Sequence, residues 1–197
     1  IPNYVDTELF RPLKKKQIKS KKICFVGRLS FEKNLLNLIL AMQDIDAELL
    51  IIGNGELRKH LETVVLDRKL PVKFLGKVAN SELPTILNEC DMFVLPSIYE
   101  GHPKALLEAM ACGLPVIGAD SPGIRELLIH GQTGYLCGLS SESIHTAIKY
   151  LIENPDFRYK LGKNANKYIQ NNCSLEMIFR KETYLIQQLI IKNSLKG

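Results

Sequence analysis

The sequence predicts an α/β fold built on a doubly wound parallel sheet of about six strands, and two observations carry that expectation. From Lys22 onward, six short apolar runs alternate with segments of helical periodicity, the order expected of repeated strand–helix units. Several of these runs are apolar throughout rather than alternating, as strands buried on both faces must be.

Each element follows in turn. Residues 23–26 read as the first strand, ending at Gly27, and Leu35, Leu38, Ile39 and Met42 then fall at helical spacing over residues 34–43. Residues 49–52 form the second strand, and Gly53-Asn54-Gly55 turns it into a helix marked by Leu57, Leu61, Val64 and Val65. Residues 72–75 precede a helix around 81–89 with Leu83, Ile86 and Leu87 on its apolar face. Residues 92–95 lead into a loop carrying Glu100. Pro103 fits the first position of the next helix, where its missing N–H costs nothing, and Gly113 fits the C-terminal cap. Residues 115–117 and 134–137 are the last two strands, followed by helices over 141–153, 155–171 and 174–192. In domain terms, residues 1–22 are a Lys-rich leading segment or linker, 23–173 one α/β domain, and 174–197 a C-terminal helix.

A chain of 197 residues can bury one good core. No apolar run approaches the ~20 residues that span a bilayer, and no signal peptide is visible. The first residue is Ile1 rather than Met, so the chain is expected to be a piece of a longer protein. Cys24, Cys90, Cys112, Cys137 and Cys173 are odd in number and lack any C-x-x-C pair. They read as buried thiols in a reducing, cytoplasmic compartment, and their spacing points to neither a zinc site nor a disulfide framework. The net charge of +5 is concentrated in Arg11, Lys14, Lys15, Lys16, Lys19, Lys21 and Lys22. A solvated linker explains this cluster. Attraction to the inner face of an anionic membrane or to a phospholipid-linked substrate, at about 1 kcal/mol per Lys, is the sharper reading. No basic helix with interleaved aromatics follows, so nucleic acid is not an expected partner.

Ligands of a doubly wound sheet bind outside the carboxyl ends of its strands. The loops at 27–33, 53–55, 76–80, 97–103 and 119–123 should therefore lie along one edge. Glu100 sits in a loop leaving a strand, and Glu108 a turn or two into the helix that follows. Both carboxylates then point at a space beyond the strand, beside first-turn N–H groups able to receive an anion. Two acceptors for hydroxyls beside a seat for phosphate describe a nucleotide-sugar site. Read alone, Glu100 also fits a solvated loop acid, and Glu108 an exposed helix residue paired with Lys104 for only ~0.3–0.5 kcal/mol. Arg28 and Lys33, five apart after the first strand, suit a diphosphate through a forked contact and a point charge. They also fit an ordinary turn with solvated charges. Gly53-Asn54-Gly55 is no dinucleotide fingerprint, because Arg58 replaces the third Gly and no acidic residue closes the second strand. NAD, hydrolase, zinc-enzyme and ATPase chemistry are unsupported: there is no Ser-His-Asp arrangement, H-x-x-x-H or Gly-Lys-Ser/Thr loop.

The run from Pro96 to Ile117 resembles the donor-binding motif of glycosyltransferase family 4: two Glu eight apart, then Glu108-Ala109-Met110-Ala111-Cys112-Gly113-Leu114-Pro115-Val116-Ile117. Gly27, Arg28 and Lys33 are similar to the family's G-R-x-x-x-x-K-G segment, with Asn34 in place of the last Gly. Gly53-Asn54-Gly55 resembles its G-x-G turn, and residues 120–126 a loop ending in G-x-x-E. With Ile1 to Pro12 resembling the family's lead into this domain, the likeness spans about residues 1–150.

The resemblance implies a Rossmann-like, C-terminal half of a two-domain GT-B enzyme. Such an enzyme moves a hexose from an NDP-sugar to an acceptor hydroxyl with retained configuration, in polysaccharide or glycolipid biosynthesis. It implies catalytic roles for Arg28, Lys33 and Glu100, the two cations neutralising the leaving diphosphate. Gly27, Gly53, Ser97, Gly101, His102, Pro103, Lys104 and Glu108 would bind the donor, Glu108 through the ribose hydroxyls. Gly76, Lys77 and Val78 would meet the base through their backbone. Gly123 would let the backbone approach the sugar. The only small molecule expected is the NDP-sugar substrate, with no cofactor and no metal, since Arg28, Lys33 and a helix N-terminus can stabilise the departing diphosphate. The carbohydrate or lipid-linked acceptor would be held by a missing N-terminal domain, leaving this chain inactive alone. The alternative is a non-catalytic nucleotide-binding or interaction module on the same fold. The joint presence of Arg28, Lys33, Glu100 and Glu108 favours the enzyme.

Overall fold

The computed structural model describes residues 4–13 and 21–194, without the side chains of residues 181–182, 185–186 and 189–194. Six strands form one sheet: β1 (Lys22–Val26), β2 (Glu48–Ile52), β3 (Val72–Gly76), β4 (Met92–Leu95), β5 (Val116–Ala119) and β6 (Tyr135–Cys137). Every pairing is parallel, and the order is β3-β2-β1-β4-β5-β6. The order reverses between β1 and β4, where Ile23 stands opposite Met92 and Cys24 opposite Phe93. Sheets of this kind leave a ligand crevice at that reversal.

Burial explains the uninterrupted apolar runs. All of β4 and β5 is buried, as are Ile23, Cys24 and Phe25 of β1. Helices cover both faces: α1 (Leu35–Leu40), α2 (Arg58–Arg68), α3 (Leu83–Glu89), α4 (Lys104–Ala111), α5 (Ser141–Glu153), α6 (Pro155–Asn172) and α7 (Leu175–Ser194). α5 buries Ile144, Ala147, Ile148 and Leu151, one stripe at 3.6-residue spacing, and Ser140 caps it by accepting from the Ser143 N–H. α4 is different. Its last six residues, Leu106 to Ala111, are all buried, which places Glu108 within the protein. All five cysteines are buried, and none forms a disulfide among the described residues. Burial pushes the thiols of Cys112 and Cys137 up to about 12, so neither is a nucleophile near neutral pH.

Several boundaries shift by one or two residues, β5 for instance running over Val116–Ala119 rather than 115–117, and three shifts have a backbone cause. The helix expected over 34–43 is broken at its start, because Asn34 adopts the left-handed region (φ 55°, ψ 34°) after a 3-10 turn at Phe31–Lys33. Asn is among the few non-Gly residues that tolerate this region, so it does the backbone work of the Gly it replaces. The same helix ends early in i to i+3 bonds, with the Met42 N–H donating to Ile39 O and Gln43 to Leu40 O. α4 opens at Lys104 rather than at Pro103, since Pro103 keeps an extended ψ of 94° and serves as the residue before the first turn. Of the Lys-rich cluster, Lys14, Lys15, Lys16 and Lys19 lie outside the described residues. Among the described residues, no helix is long and apolar enough to cross a membrane.

Candidate functional site

Two adjoining clefts open at the carboxyl edge of the sheet and share Gly27 and Arg28. The first, about 420 Å³, lies at the β1/β4 reversal and is lined by Arg28, Glu32, Lys33, Glu100, His102 and Lys104 among others. The second, about 670 Å³, is lined by the turns after β1, β2 and β3.

In the first cleft the expected residues converge from two loops. Lys33, at the end of the 3-10 turn, donates from Nζ to Glu100 Oε1 at 2.6 Å, with the two side chains only 17% and 10% exposed. An ion pair this sheltered from water gives up hydration to form, and neither partner can be removed without stranding the other. Arg28 is exposed at the junction of the clefts, so its guanidinium is available to both. Gly101 is exposed in the same loop, while His102 and Pro103 reach the cleft wall. Burial pulls the His102 imidazole below its usual pKa, which keeps it neutral at physiological pH.

Glu108 is only 4% exposed and lines neither cleft directly. It stands one helical turn behind Lys104, whose Nζ is 3.7 Å from its Oε1. Burial raises its pKa, and the neighbouring Lys104 ammonium opposes that rise. Ser97 is fully buried behind the cleft. Its Oγ has no hydrogen-bond partner among the described residues, and its carbonyl accepts from the Ser121 hydroxyl at 2.8 Å.

Backbone rather than side chains builds the second cleft. The Gly53 N–H donates to Gly76 O at 2.8 Å and the Gly27 N–H to Ile52 O at 3.0 Å, tying the three turns together. Gly53 has φ 137°, and a Cβ there would lie 1.8 Å from Gly27 O. Its place is thus set by the adjacent turn. Lys77 is exposed on the cleft wall, and Gly76 and Val78 flank it half-buried.

Sequence reasoning overlooked Glu32. Its carbonyl accepts from the Ile98 N–H at 2.8 Å, joining the Lys33 turn to the Glu100 loop, and its carboxylate lines the cleft. The Ser30 hydroxyl donates to that carboxylate and holds its pKa below the usual value. A backbone acceptor leaves no residue-type signal, so only adjacency to Lys33 could have marked it. A third cavity, about 390 Å³, lies at the opposite edge near Asp91 and Pro115, and holds none of the candidate residues. Among the described residues, no group of three His, Cys, Asp or Glu is arranged to hold a metal ion.

The family model described as glycosyl transferases group 1 matches residues 6–168, running on through most of α6 beyond the expected limit near residue 150. An uncharacterized glycosyltransferase of Methanocaldococcus jannaschii is 32% identical over 179 residues, 87% of this chain and 46% of that protein. The UDP-Gal:alpha-D-GlcNAc-diphosphoundecaprenol alpha-1,3-galactosyltransferase of Escherichia coli is 33% identical over 195 residues, 89% of this chain and 50% of that protein. The chain thus spans about half the length of these curated relatives. Among solved structures, the C-terminal domain of a glycosyl transferase group 1 family protein from Francisella tularensis superposes with a TM-score of 0.79 at 26% identity. That match covers 87% of this chain and 99% of the solved one.

Proposed function

This chain belongs to the group 1 glycosyl transferases, and we propose that it is the donor-binding half of a retaining hexosyltransferase. One observation carries the reading: Arg28, Lys33 and Glu100 meet in one cleft at the reversal of strand order, beside the first turn of α4. The donor diphosphate would lie between Arg28, Lys33 and the unpaired N–H groups of α4. Glu100 would face the sugar hydroxyls. Because Lys33 already bridges toward Glu100, one ammonium can serve the phosphate and fix the sugar's acceptor together. Glu108 would exchange the Lys104 ammonium for ribose hydroxyls, and residues 76–78 would offer backbone groups to the base.

In the proposed reaction, the bond between the sugar C1 and the diphosphate oxygen breaks while the acceptor oxygen bonds to C1 on the same face. The acceptor's proton passes to the leaving phosphate, so the chain needs no general base. Charge developing on the diphosphate is met by Arg28, Lys33 and the α4 N-terminus, and we propose no resident metal. Groups that hold the carbohydrate or lipid-linked acceptor would lie outside this chain. We propose a cytoplasmic setting, with the Lys-rich segment drawn to an anionic membrane face.

Calorimetry with UDP, GDP, ADP, UMP and NAD tests the reading. A half-site should bind one diphosphate with Kd on the order of 0.1–1 mM, about −4 to −5.5 kcal/mol, above its monophosphate and above NAD. Arg28→Ala and Glu108→Ala should each weaken it. Preference for NAD, or indifference to both substitutions, would contradict the donor site. Turnover of a nucleotide-sugar by this chain alone would sink the half-enzyme reading.

A further inference from the structure

The loop bearing Glu100 runs from Pro96 to Pro103 without regular structure, so something must hold the carboxylate in place. We infer that Ser121 and Gly123, in the loop after β5, are positioning residues that fix Glu100 for the donor sugar; the inference rests on the donor-site reading above. Two loops grip the Glu100 segment from opposite sides. On one side, Glu32 O accepts from the Ile98 N–H and Lys33 holds the Glu100 carboxylate. On the other, the Ser121 hydroxyl donates to Ser97 O at 2.8 Å, and Pro122 O accepts from the Glu100 N–H at 3.0 Å.

Gly123 makes the second grip sterically possible. It has φ 81°, and a Cβ there would lie 1.9 Å from Glu100 O and 2.6 Å from its carbonyl carbon. The freedom of this glycine is therefore used against the Glu100 backbone, where sequence analysis had assigned it to the sugar. Ser121 and Ser97 are both buried, so their bond is shielded from competing water. The gripping loop is itself braced. Its Asp120 N–H donates to Cys137 O of β6 at 2.8 Å, and the Arg125 side chain donates to Asp120 Oδ1 at 2.9 Å and to Asp120 O at 2.8 Å. Residues more than twenty positions along the chain thus set where the Glu100 carboxylate stands. They act through the backbone and need touch no substrate.

The test combines amide hydrogen exchange with ligand binding, on the full chain and on Ser121→Ala, Ser121→Thr and Gly123→Ala. Binding is measured for UDP with UDP-glucose, GDP with GDP-mannose, and ADP with ADP-glucose. Ser121→Ala should speed exchange at the Ile98 and Glu100 amides by about tenfold while amides of β1 and β2 stay unchanged. It should lower affinity for the nucleotide-sugar by several-fold more than for the matching diphosphate, because Arg28 and the α4 N–H groups hold the diphosphate without the Glu100 carboxylate. Ser121→Thr, which keeps the hydroxyl, should restore both readings, and Gly123→Ala should exceed Ser121→Ala. Unchanged exchange at Ile98 and Glu100 in both Ser121→Ala and Gly123→Ala would overturn the inference, even with nucleotide binding intact. Equal losses for diphosphate and nucleotide-sugar, tracking a lowered Tm, would overturn it as general destabilisation. Faster exchange at the two amides in a chain whose wild type binds none of the six ligands would uphold the grip and overturn the donor-site reading.

Discussion

The two clefts at the carboxyl edge share Gly27 and Arg28 yet are built on opposite principles. The first is lined by charged side chains held by partners: Lys33 by Glu100, Lys104 by Glu108 behind the cleft, and Glu32 by the Ser30 hydroxyl. The second is made of turns that hydrogen-bond one another through glycine backbones, with Lys77, Glu56 and Arg28 at its rim. A charged cleft stakes its chemistry on particular side chains, so a single truncation should abolish a contact. A backbone cleft tolerates truncation but is intolerant of added bulk. Substitutions in the two should therefore separate loss of binding from loss of fold.

The largest effect is expected in the backbone cleft. Gly53→Ala places a methyl group 1.8 Å from Gly27 O at φ 137°. We expect destabilisation of ~3 kcal/mol, roughly a 10 °C fall in Tm by thermal unfolding. An unchanged Tm would show that the turns after β1 and β2 move apart easily and would end the contrast.

In the charged cleft, Arg28→Ala should leave Tm almost unmoved, because the side chain is exposed. Affinity for the preferred diphosphate should fall ~10–30-fold by calorimetry, about 1.4–2 kcal/mol, with Arg28→Lys recovering only part. A fall in Tm without loss of affinity would invert the roles assigned to the clefts.

Glu108 gives a prediction with a sign. Burial raises its pKa in the folded chain, so the folded state binds the proton more tightly than the unfolded state. Its contribution to stability is thus greatest at acid pH and declines as pH rises from the ordinary carboxylate value through the raised one. Nucleotide affinity should move the other way, since only the ionised carboxylate offers full acceptor capacity to hydroxyls. Glu108→Gln should raise Tm at neutral pH, weaken the diphosphate, and remove both slopes. The difference between wild type and variant is the quantity to plot against pH. A variant less stable at neutral pH would contradict this account of the buried carboxylate. The smallest effect is expected at Lys77, where the expected contact is through the backbone: Lys77→Ala should change affinity by less than about twofold.

Much of this molecule was legible in its sequence. Strands buried on both faces leave continuous apolar runs, so β1, β2 and β4 were found to within a residue or two. Arg28, Lys33 and Glu100 each also fit a solvated loop charge, so they were singled out by their place on strand-end loops together with the family resemblance, and the structure brings all three to one cleft. What stayed hidden was written in backbone. The Glu32 carbonyl, the Pro122 carbonyl and the approach of Glu100 to Gly123 join loops far apart in sequence and demand no particular side chain, apart from the glycine. The broken start of α1 was missed for a related reason: Asn34 looks like a helix-compatible polar residue until its left-handed conformation is seen. Pro103 was placed one position too far into α4, because proline's fixed φ suits both the first turn and the residue before it.

The most direct test of the central claim is amide chemical-shift mapping of the chain titrated with the diphosphate it prefers. The account predicts shifts confined to residues 27–33, 53–55, 76–78 and 100–108, all on the carboxyl edge of the sheet. Shifts centred on the opposite cavity near Asp91 and Pro115, or no shifts with any nucleoside diphosphate, would contradict it.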